Sequence, residues 1–429
     1  MTICVVALGK IGLPLAVQFA SRGERVIGAD VSQRVVDLVN QGIEPFPGEA
    51  DLAERLKSVV AAGLLTATTD TTAAVAQADA VVIVVPLVVD ANDVPDFSWM
   101  DDATRAVARG LRPGTLVSYE TTLPVGTTRN RWTPMLAEGS GLTPGEDLFV
   151  VFSPERVLTG RVFADLRRYP KLVGGIDPES ARRGVEFYSR VLEFDERTDL
   201  PRPNGVWDLG SAEAAELAKL AETTYRDVNI GLANQFARYA DRIGVDISAV
   251  IEACNTQPYS RIHRPGIAVG GHCIPVYPRM YLWNDPEATV VRAAREANAA
   301  MPAYAVARLA EAYGPLDGAD VLVLGAAYRG GVKETAFSGV FAVVQELQAR
   351  GANAYVSDPL YTADELRELG LVPYQGEPVT AVVVQTDHAE YRDLRSTDFP
   401  NVRVLLDGRR VTDPERWPAV TRIVIGGGQ

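Results

Sequence analysis

Ile3-Cys4-Val5-Val6-Ala7-Leu8-Gly9-Lys10-Ile11-Gly12-Leu13-Pro14 is the stretch that decides the fold. Ile3–Val6 reads as a buried strand and Leu13–Ser21 carries helical spacing, so Ala7 to Gly12 is a tight turn from strand into helix. The turn has the spacing of G-x-G-x-x-G with Ala7 in place of the first glycine, which makes the turn less free. Gly9 would let the backbone approach a pyrophosphate, Gly12 would let helix and strand pack closely, and the helix N-terminus would point N–H groups at the phosphates. The next strand, Arg25–Asp30, closes on Asp30, 21 positions after Gly9. An acidic side chain there receives ribose hydroxyls and repels the extra phosphate of NADP, so NAD is the predicted cofactor. The bland alternative is an ordinary βα turn followed by a chance aspartate.

Outward from this unit, Ala80–Val85, Leu116–Tyr119, Leu148–Phe152 and Leu172–Gly175 read as further strands, most of them apolar throughout. Continuous apolar strands separated by helix-sized segments predict a parallel sheet covered on both faces. From Ser211 to Ile243 the chain is Ala-rich with helical spacing broken only by Gly231, and reads as one long helix that Ser211 can cap. A helix near Ile247–Ala253 and a Gly/Pro-rich loop follow, and strand–helix alternation resumes at Asp320–Leu324, Ala354–Ser357, Thr380–Val384 and Val402–Leu405. The predicted architecture is α/β, with two Rossmann-like doubly wound domains joined by a central long-helix domain. The expected boundaries are 1–203, 204–303 and 304–429, with Pro201–Gly210 as the linker.

Composition narrows the function classes. The chain has 429 residues, 47% hydrophobic and 23% charged, which is a globular composition rather than a disordered one. A net charge of −13 argues against nucleic acid as a partner. No apolar run has the length of a membrane helix, and the N-terminus enters a strand without the basic region of a signal peptide, so a cytoplasmic location is expected. Cys4, Cys254 and Cys273 are too few for a disulfide framework. His263, His272 and His388 are the only histidines and none has a partner at ligand spacing, so no metal is expected.

The strongest chemical signal is Pro265-Gly266-Ile267-Ala268-Val269-Gly270-Gly271-His272-Cys273-Ile274-Pro275. Paired glycines let a ligand approach the backbone, and a thiol beside them can act as a nucleophile; the rival is a small buried residue in a glycine-rich turn. His272 is either its base or merely its neighbour. Cys4 lies in an apolar strand and Cys254 in a helical segment, where buried structural thiols are expected.

With these residues the chain resembles the nucleotide-sugar 6-dehydrogenases, which include UDP-glucose and UDP-N-acetylhexosamine enzymes. The resemblance spans nearly the whole sequence. It rests on the first turn, on Glu120-Thr121-Thr122-Leu123-Pro124-Val125-Gly126-Thr127-Thr128, on Ser153-Pro154-Glu155-Arg156, and on Ala215-Glu216-Leu217-Ala218-Lys219 leading to Arg226-Asp227-Val228-Asn229-Ile230. Gly270-Gly271-His272-Cys273-Ile274-Pro275, Gly325-Ala326-Ala327-Tyr328-Arg329 and Thr386-Asp387-His388 complete it.

The resemblance implies a four-electron oxidation of a sugar C6 hydroxymethyl to a carboxylate, with two NAD molecules and a covalent intermediate on Cys273. Lys219 would steady the alkoxide, and Glu155 would activate water with Thr122. On the residues alone, Lys219 reads equally as a surface lysine and Glu155 as a strand-end carboxylate pairing with Arg156. The resemblance extends the cofactor site to Lys10, Ile11, Arg34, Pro86, Thr122 and Arg329. It places Glu155, Arg156, Lys219, Tyr259, Arg261, Arg264, Gly270, Gly271 and Tyr277 at the sugar nucleotide, where Arg261 or Arg264 would clamp the diphosphate; either arginine could equally belong to a solvated basic loop.

The chain departs from the family pattern in three places. Tyr277 stands where an aspartate is usual, Thr223 replaces an asparagine one turn after Lys219, and in the last domain's first loop Ala336 replaces an arginine while Arg329 stands where a lysine is usual. The expectation is the same reaction with a rearranged water network. The motif wording is closer to the N-acetylhexosamine branch than to the glucose branch, and UDP, dTDP and GDP sugars all stay open. The resemblance also implies a homodimer built on the Ser211–Ile243 helix, although an Ala-rich helix suits burial within one subunit equally. The His388 loop is expected to be structural. Two rivals remain: a two-electron β-hydroxyacid-type dehydrogenase, which leaves the C-terminal domain unexplained, and a non-catalytic NAD- and nucleotide-sugar-binding protein.

Overall fold

The computed structural model describes residues 1–90 and 92–428, which form two compact units. One comprises Met1–Glu222 with Arg279–Asn284 and the other Thr223–Pro278 with Asp285–Gln429. The architecture is α/β, with a Rossmann-like sheet toward each end of the sequence and helices between them.

The first unit holds an eight-stranded sheet in the order Val206–Asp208, Lys171–Gly175, Leu148–Phe152, Thr115–Tyr119, Ala80–Ile83, Thr2–Val6, Arg25–Ala29, Leu65–Thr68. All six strands read from the sequence form. The sheet is not parallel throughout, because Lys171–Gly175 runs antiparallel to Leu148–Phe152. An apolar run reports burial on both faces, whereas direction is set by the path of the connection, which periodicity does not carry. The expected linker Pro201–Gly210 is not free either. Its Val206–Asp208 pairs with Lys171–Val173 and extends the sheet. Ile3 and Val5 of the central strand pack against Leu13 and Phe19 of the helix Gly12–Ser21, in one core with Phe187 of the helix Pro178–Val191.

The second unit holds five parallel strands in the order Asn353–Ser357, Asp320–Leu324, Ala381–Val384, Val404–Asp407, Thr421–Val424. Side chains alternate between faces, so Val321 and Val323 join one core while Leu322 and Leu324 join another with Trp417. Thr421–Val424 escaped sequence reading because half of this edge strand, Thr421 and Arg422, is polar.

The long helix spans Ala212–Ile243, and Ser211 caps it by accepting the Ala214 N–H at 3.1 Å. Its two faces differ. Ala233, Ala237 and Ala240 are buried within the chain, while Tyr225, Leu232 and Tyr239 are 59%, 46% and 54% exposed.

Candidate active site

The first turn is built around a non-glycine residue in a left-handed conformation. Ala7 holds a φ of 74°, and its carbonyl oxygen lies 1.9 Å from where a β-carbon on Gly12 would stand. Around Gly9 a β-carbon would meet nothing within 4 Å. Asp30 is fixed by its own neighbours, Oδ2 accepting the Leu8 N–H at 2.8 Å and Oδ1 the Ser32 N–H at 2.9 Å, which leaves each oxygen a further lone pair. No side chain caps the helix Gly12–Ser21. Open space at Gly9, an uncapped helix start and an anchored carboxylate fit NAD, whose pyrophosphate and ribose need those three things. Of the other predicted contacts, Ile11 is half-buried and Lys10, Arg34 and Pro86 are exposed.

A second cluster sits at strand ends of the same unit. Glu120 follows Thr115–Tyr119, Glu155 follows Leu148–Phe152, and Lys171 opens the reversed strand. The Lys171 ammonium donates to Glu120 Oε2 at 2.6 Å and to Glu155 Oε2 at 3.1 Å. Tyr188 Oη donates to Glu120 Oε1 at 2.6 Å. Burial, with the Glu155 charge, pushes the Glu120 carboxyl up to about 7 against the pull of Lys171. Burial also opposes ionisation of Glu155, but Lys171, the Arg156 N–H and Lys219 outweigh it and hold that carboxyl below its ordinary value. Glu155 does not pair with the Arg156 guanidinium. That group binds Glu222 at 3.0 and 3.1 Å, and only the Arg156 backbone N–H reaches Glu155. Lys219 is buried, 8% exposed, so it is not a surface lysine. Thr122 is buried in the loop after Glu120, and Glu216 grips that loop by accepting the Gly126 and Thr128 N–H groups at 2.6 and 2.9 Å. Burial raises Glu216 to about 7.

In the second unit Cys273 is exposed, whereas Cys4 is buried and its thiol pushed up to about 12 by desolvation. The Cys273 carbonyl accepts the N–H groups of Val276 and Tyr277 at 3.2 and 2.9 Å, so Cys273 precedes the turn that starts the helix Tyr277–Asn284. The paired glycines are explained by the protein itself. A β-carbon on Gly270 would lie 2.7 Å from Tyr328 Cβ and 2.9 Å from the Phe337 carbonyl oxygen, and one on Gly271, with φ 96°, 3.0 Å from the Tyr328 ring. The side-chain direction at both glycines is therefore taken by the chain's own backbone and Tyr328. Ala336 contributes its carbonyl, which accepts the Gly271 N–H at 2.8 Å. His272 pairs with Glu334 Oε2 at 3.2 Å.

Thr223 is buried, Tyr277 half-buried, and Tyr259, Arg261 and Arg264 are exposed. Arg264 lines a cavity of ≈160 Å³ with Glu252, Gly408, Arg409 and Arg410. Asn229 holds the loop before it, Nδ2 donating to the Arg261 carbonyl at 2.7 Å and Oδ1 accepting the His263 N–H at 2.9 Å. Arg329 is half-buried, and its Nε is buried without a hydrogen-bond partner. His388 is structural as expected: Nδ1 accepts the Gly331 N–H at 3.3 Å, and Nε2 lies 3.0 Å from Asp358 Oδ2.

Three domain models of one family match in order along the chain. The NAD binding domain of the UDP-glucose/GDP-mannose dehydrogenase family covers residues 1–192, its central domain 213–300 and its UDP binding domain 322–414. The chain belongs to this family. The UDP-N-acetyl-D-mannosamine dehydrogenase of Pyrococcus horikoshii is 34% identical over 96% of both chains. The NDP-N-acetyl-D-galactosaminuronic acid dehydrogenase of Ralstonia nicotianae is 34% identical over 97% of this chain and 98% of its own. A solved UDP-D-ManNAc dehydrogenase structure from Pyrococcus horikoshii superposes with a TM-score of 0.89 at 32% identity, covering 100% of each chain. The protein is thus an NAD-dependent nucleotide-sugar dehydrogenase that oxidises its substrate to the uronate, as the motifs implied. The UDP binding domain accounts for the C-terminal region that the two-electron reading left unexplained, and the non-catalytic reading is not favoured.

Sequence reading gave no role to Glu120 and Glu216, although both stand in the quoted motifs, and did not single out Lys171, Tyr188 or Arg409. Lys171 did leave a signal, a charged residue opening an otherwise apolar strand. Glu120 and Arg409 also stand at strand ends, where α/β ligand sites gather. Among the described residues no group of three or more His, Cys, Asp or Glu side chains could hold a metal, and no helix is long and apolar enough to cross a membrane.

Proposed function

We propose that the substrate is a UDP-N-acetylhexosamine and that its C6 hydroxymethyl is oxidised through a thioester on Cys273. The observation that carries the mechanism is the half-buried Glu155, held ionised by Lys171 and within the field of the buried Lys219, at the end of a strand beside a loop that carries Thr122. The N-acetylhexosamine names of the 34%-identical relatives support the substrate.

Bound NAD supplies the hydride acceptor for both oxidations. Lys219 stabilises the alkoxide from which the first hydride leaves. The Cys273 thiol adds across the aldehyde C=O, sulfur to carbon and its proton to oxygen, and loss of a second hydride from that carbon together with the oxygen's proton leaves the thioester. Glu155, aided by Thr122, takes a proton from the water that attacks the acyl carbon; the C–S bond breaks, sulfur leaves with the bonding pair and is reprotonated, and the uronate forms. A phenol is a weak base at neutral pH, so Tyr277 does not replace Glu155. Thr223 supplies one hydrogen bond where an amide would supply two, and Ala336 its backbone.

Gly9, Lys10, Ile11, Gly12, Asp30, Arg34, Pro86, Thr122 and Arg329 form the cofactor site in this reading. Arg156, Tyr259, Arg261, Arg264, Gly270, Gly271 and Tyr277 join Glu155 and Lys219 at the sugar nucleotide. In this reading the domains are 1–203, 204–303 and 304–429, with Val206–Asp208 of the middle segment joining the first sheet, and the chain works in the cytoplasm and forms a homodimer. Tyr225, Leu232 and Tyr239, seven residues apart on one exposed helix face, support a second copy as partner.

The test is the number of NADH formed per sugar consumed, with UDP-N-acetyl-D-mannosamine, UDP-N-acetyl-D-galactosamine, UDP-N-acetyl-D-glucosamine and UDP-glucose each supplied with excess NAD. Two per sugar with an N-acetylhexosamine is expected. One per sugar refutes the full oxidation, and turnover of UDP-glucose alone refutes the substrate.

A further inference from the structure

We infer that Lys171 is a positioning residue for the water-activating carboxylate, and that Glu120, by sharing the same ammonium, sets how basic Glu155 is. The inference rests on the reading of Glu155 as the base.

The three charges are unequal in exposure. The Glu120 side chain is 0% exposed and Lys171 4%, whereas Glu155 keeps 11%. Water can therefore reach the edge of Glu155 while Glu120 is sealed behind it. Both Glu155 oxygens are fixed, Oε1 by the Arg156 N–H at 2.6 Å and Oε2 by Lys171. Glu120 is equally fixed, between Lys171 and Tyr188. Tyr188 spends its single proton on Glu120, so Ser118 Oγ, 2.7 Å away, donates to Tyr188 in turn.

This arrangement is a poor device for stability. A buried lysine beside two carboxylates leaves one negative charge uncompensated, and apolar side chains of similar volume would fold as well or better. It does suit a base. When Glu120 is protonated, Lys171 gives its whole field to Glu155 and weakens it as a proton acceptor; when Glu120 is ionised, the field is divided and Glu155 gains basicity. The neighbouring groups are Lys171 from the reversed strand, Tyr188 and Ser118 behind Glu120, the Arg156 N–H, and Lys219 from the long helix. Lys219 also acts on Glu222, whose own partner is Arg156.

The test uses the whole enzyme with NAD and whichever of the four nucleotide sugars it oxidises, recording the NADH burst, the later steady rate against pH, and the mass of the chain. In Lys171→Met the burst is expected to survive. The steady rate should fall about 100-fold or more, a sugar adduct should accumulate on Cys273, and the acid limb of the profile should rise by about one pH unit or more. Glu120→Gln, which keeps the shape of the side chain, should move the acid limb the other way. Glu155→Gln should stall after the burst at every pH. If Glu155→Gln stalls while Lys171→Met keeps the normal steady rate and acid limb, the role of Lys171 is overturned and the role of Glu155 stands. If Glu155→Gln turns over freely, both fail. Should Lys171→Met not fold, an unmoved or raised acid limb in Glu120→Gln overturns the inference alone.

Discussion

The Ala7 carbonyl oxygen occupies the place where a side chain on Gly12 would begin, 1.9 Å from the position of its β-carbon. The two residues are therefore coupled: Ala7 accepts a left-handed φ of 74° so that strand and helix can meet, and Gly12 must stay bare to let them. Gly12→Ala is expected to displace the turn and abolish NAD binding, seen as loss of NAD-induced thermal protection. Ala7→Gly relieves the unfavourable φ and should raise stability by up to about 1 kcal/mol with NAD affinity retained, read from the urea midpoint. A destabilised Ala7→Gly chain would contradict this account.

Asp30 both anchors the turn, through Leu8 N–H, and faces the ribose in the proposed cofactor site. Asp30→Ser should weaken NAD binding more than NADP binding, narrowing the preference by about 10-fold or more, because it removes the charge that repels the extra phosphate and leaves exposed Arg34 nearby on the next helix. Steady-state KM values for the two cofactors check it.

Cys273 and Tyr277 should separate cleanly. Cys273→Ser is expected to yield at most one NADH per sugar and no covalent adduct, because a hydroxyl makes a poor substitute for sulfur in both the addition and the later C–O cleavage. Tyr277→Phe should keep two NADH per sugar. A Tyr277→Phe chain that stops at one would make the phenol part of the water chemistry.

Asp358 binds the loop after Asp320–Leu324 to its sheet. Its Oδ2 accepts the Ala326 and Ala327 N–H groups at 2.7 and 3.0 Å and lies 3.0 Å from His388 Nε2. Burial pushes its carboxyl up, but His388 and the backbone N–H groups outweigh that, and the net shift is downward. A carboxyl depressed on folding adds stability above its unfolded value, near pH 4, and loses it as the pH falls through the folded value. His388→Ala should therefore move the acid-unfolding midpoint to higher pH and cost about 1–3 kcal/mol at pH 7. Urea titrations of both proteins between pH 3 and 7 test both statements.

The sequence alone determined the strand–turn–helix start, six of the eight strands of the first sheet, the long helix with its Ser211 cap, the family and its cofactor. These are written in short-range pattern: apolar runs, glycine spacing and motif order all lie within a few residues of one another. It also marked Cys273, Lys219 and Glu155, yet left open whether Lys219 was a surface lysine and whether Glu155 paired with Arg156. Only the tertiary structure decided those, because burial and ion pairing depend on residues far apart in the chain: Lys171 meets Glu120 across a separation of 51 residues and Arg156 meets Glu222 across 66. Strand direction at Lys171–Gly175 and the strand hidden in Pro201–Gly210 were likewise beyond the sequence, since pairing is set by where the chain returns and not by what its side chains prefer.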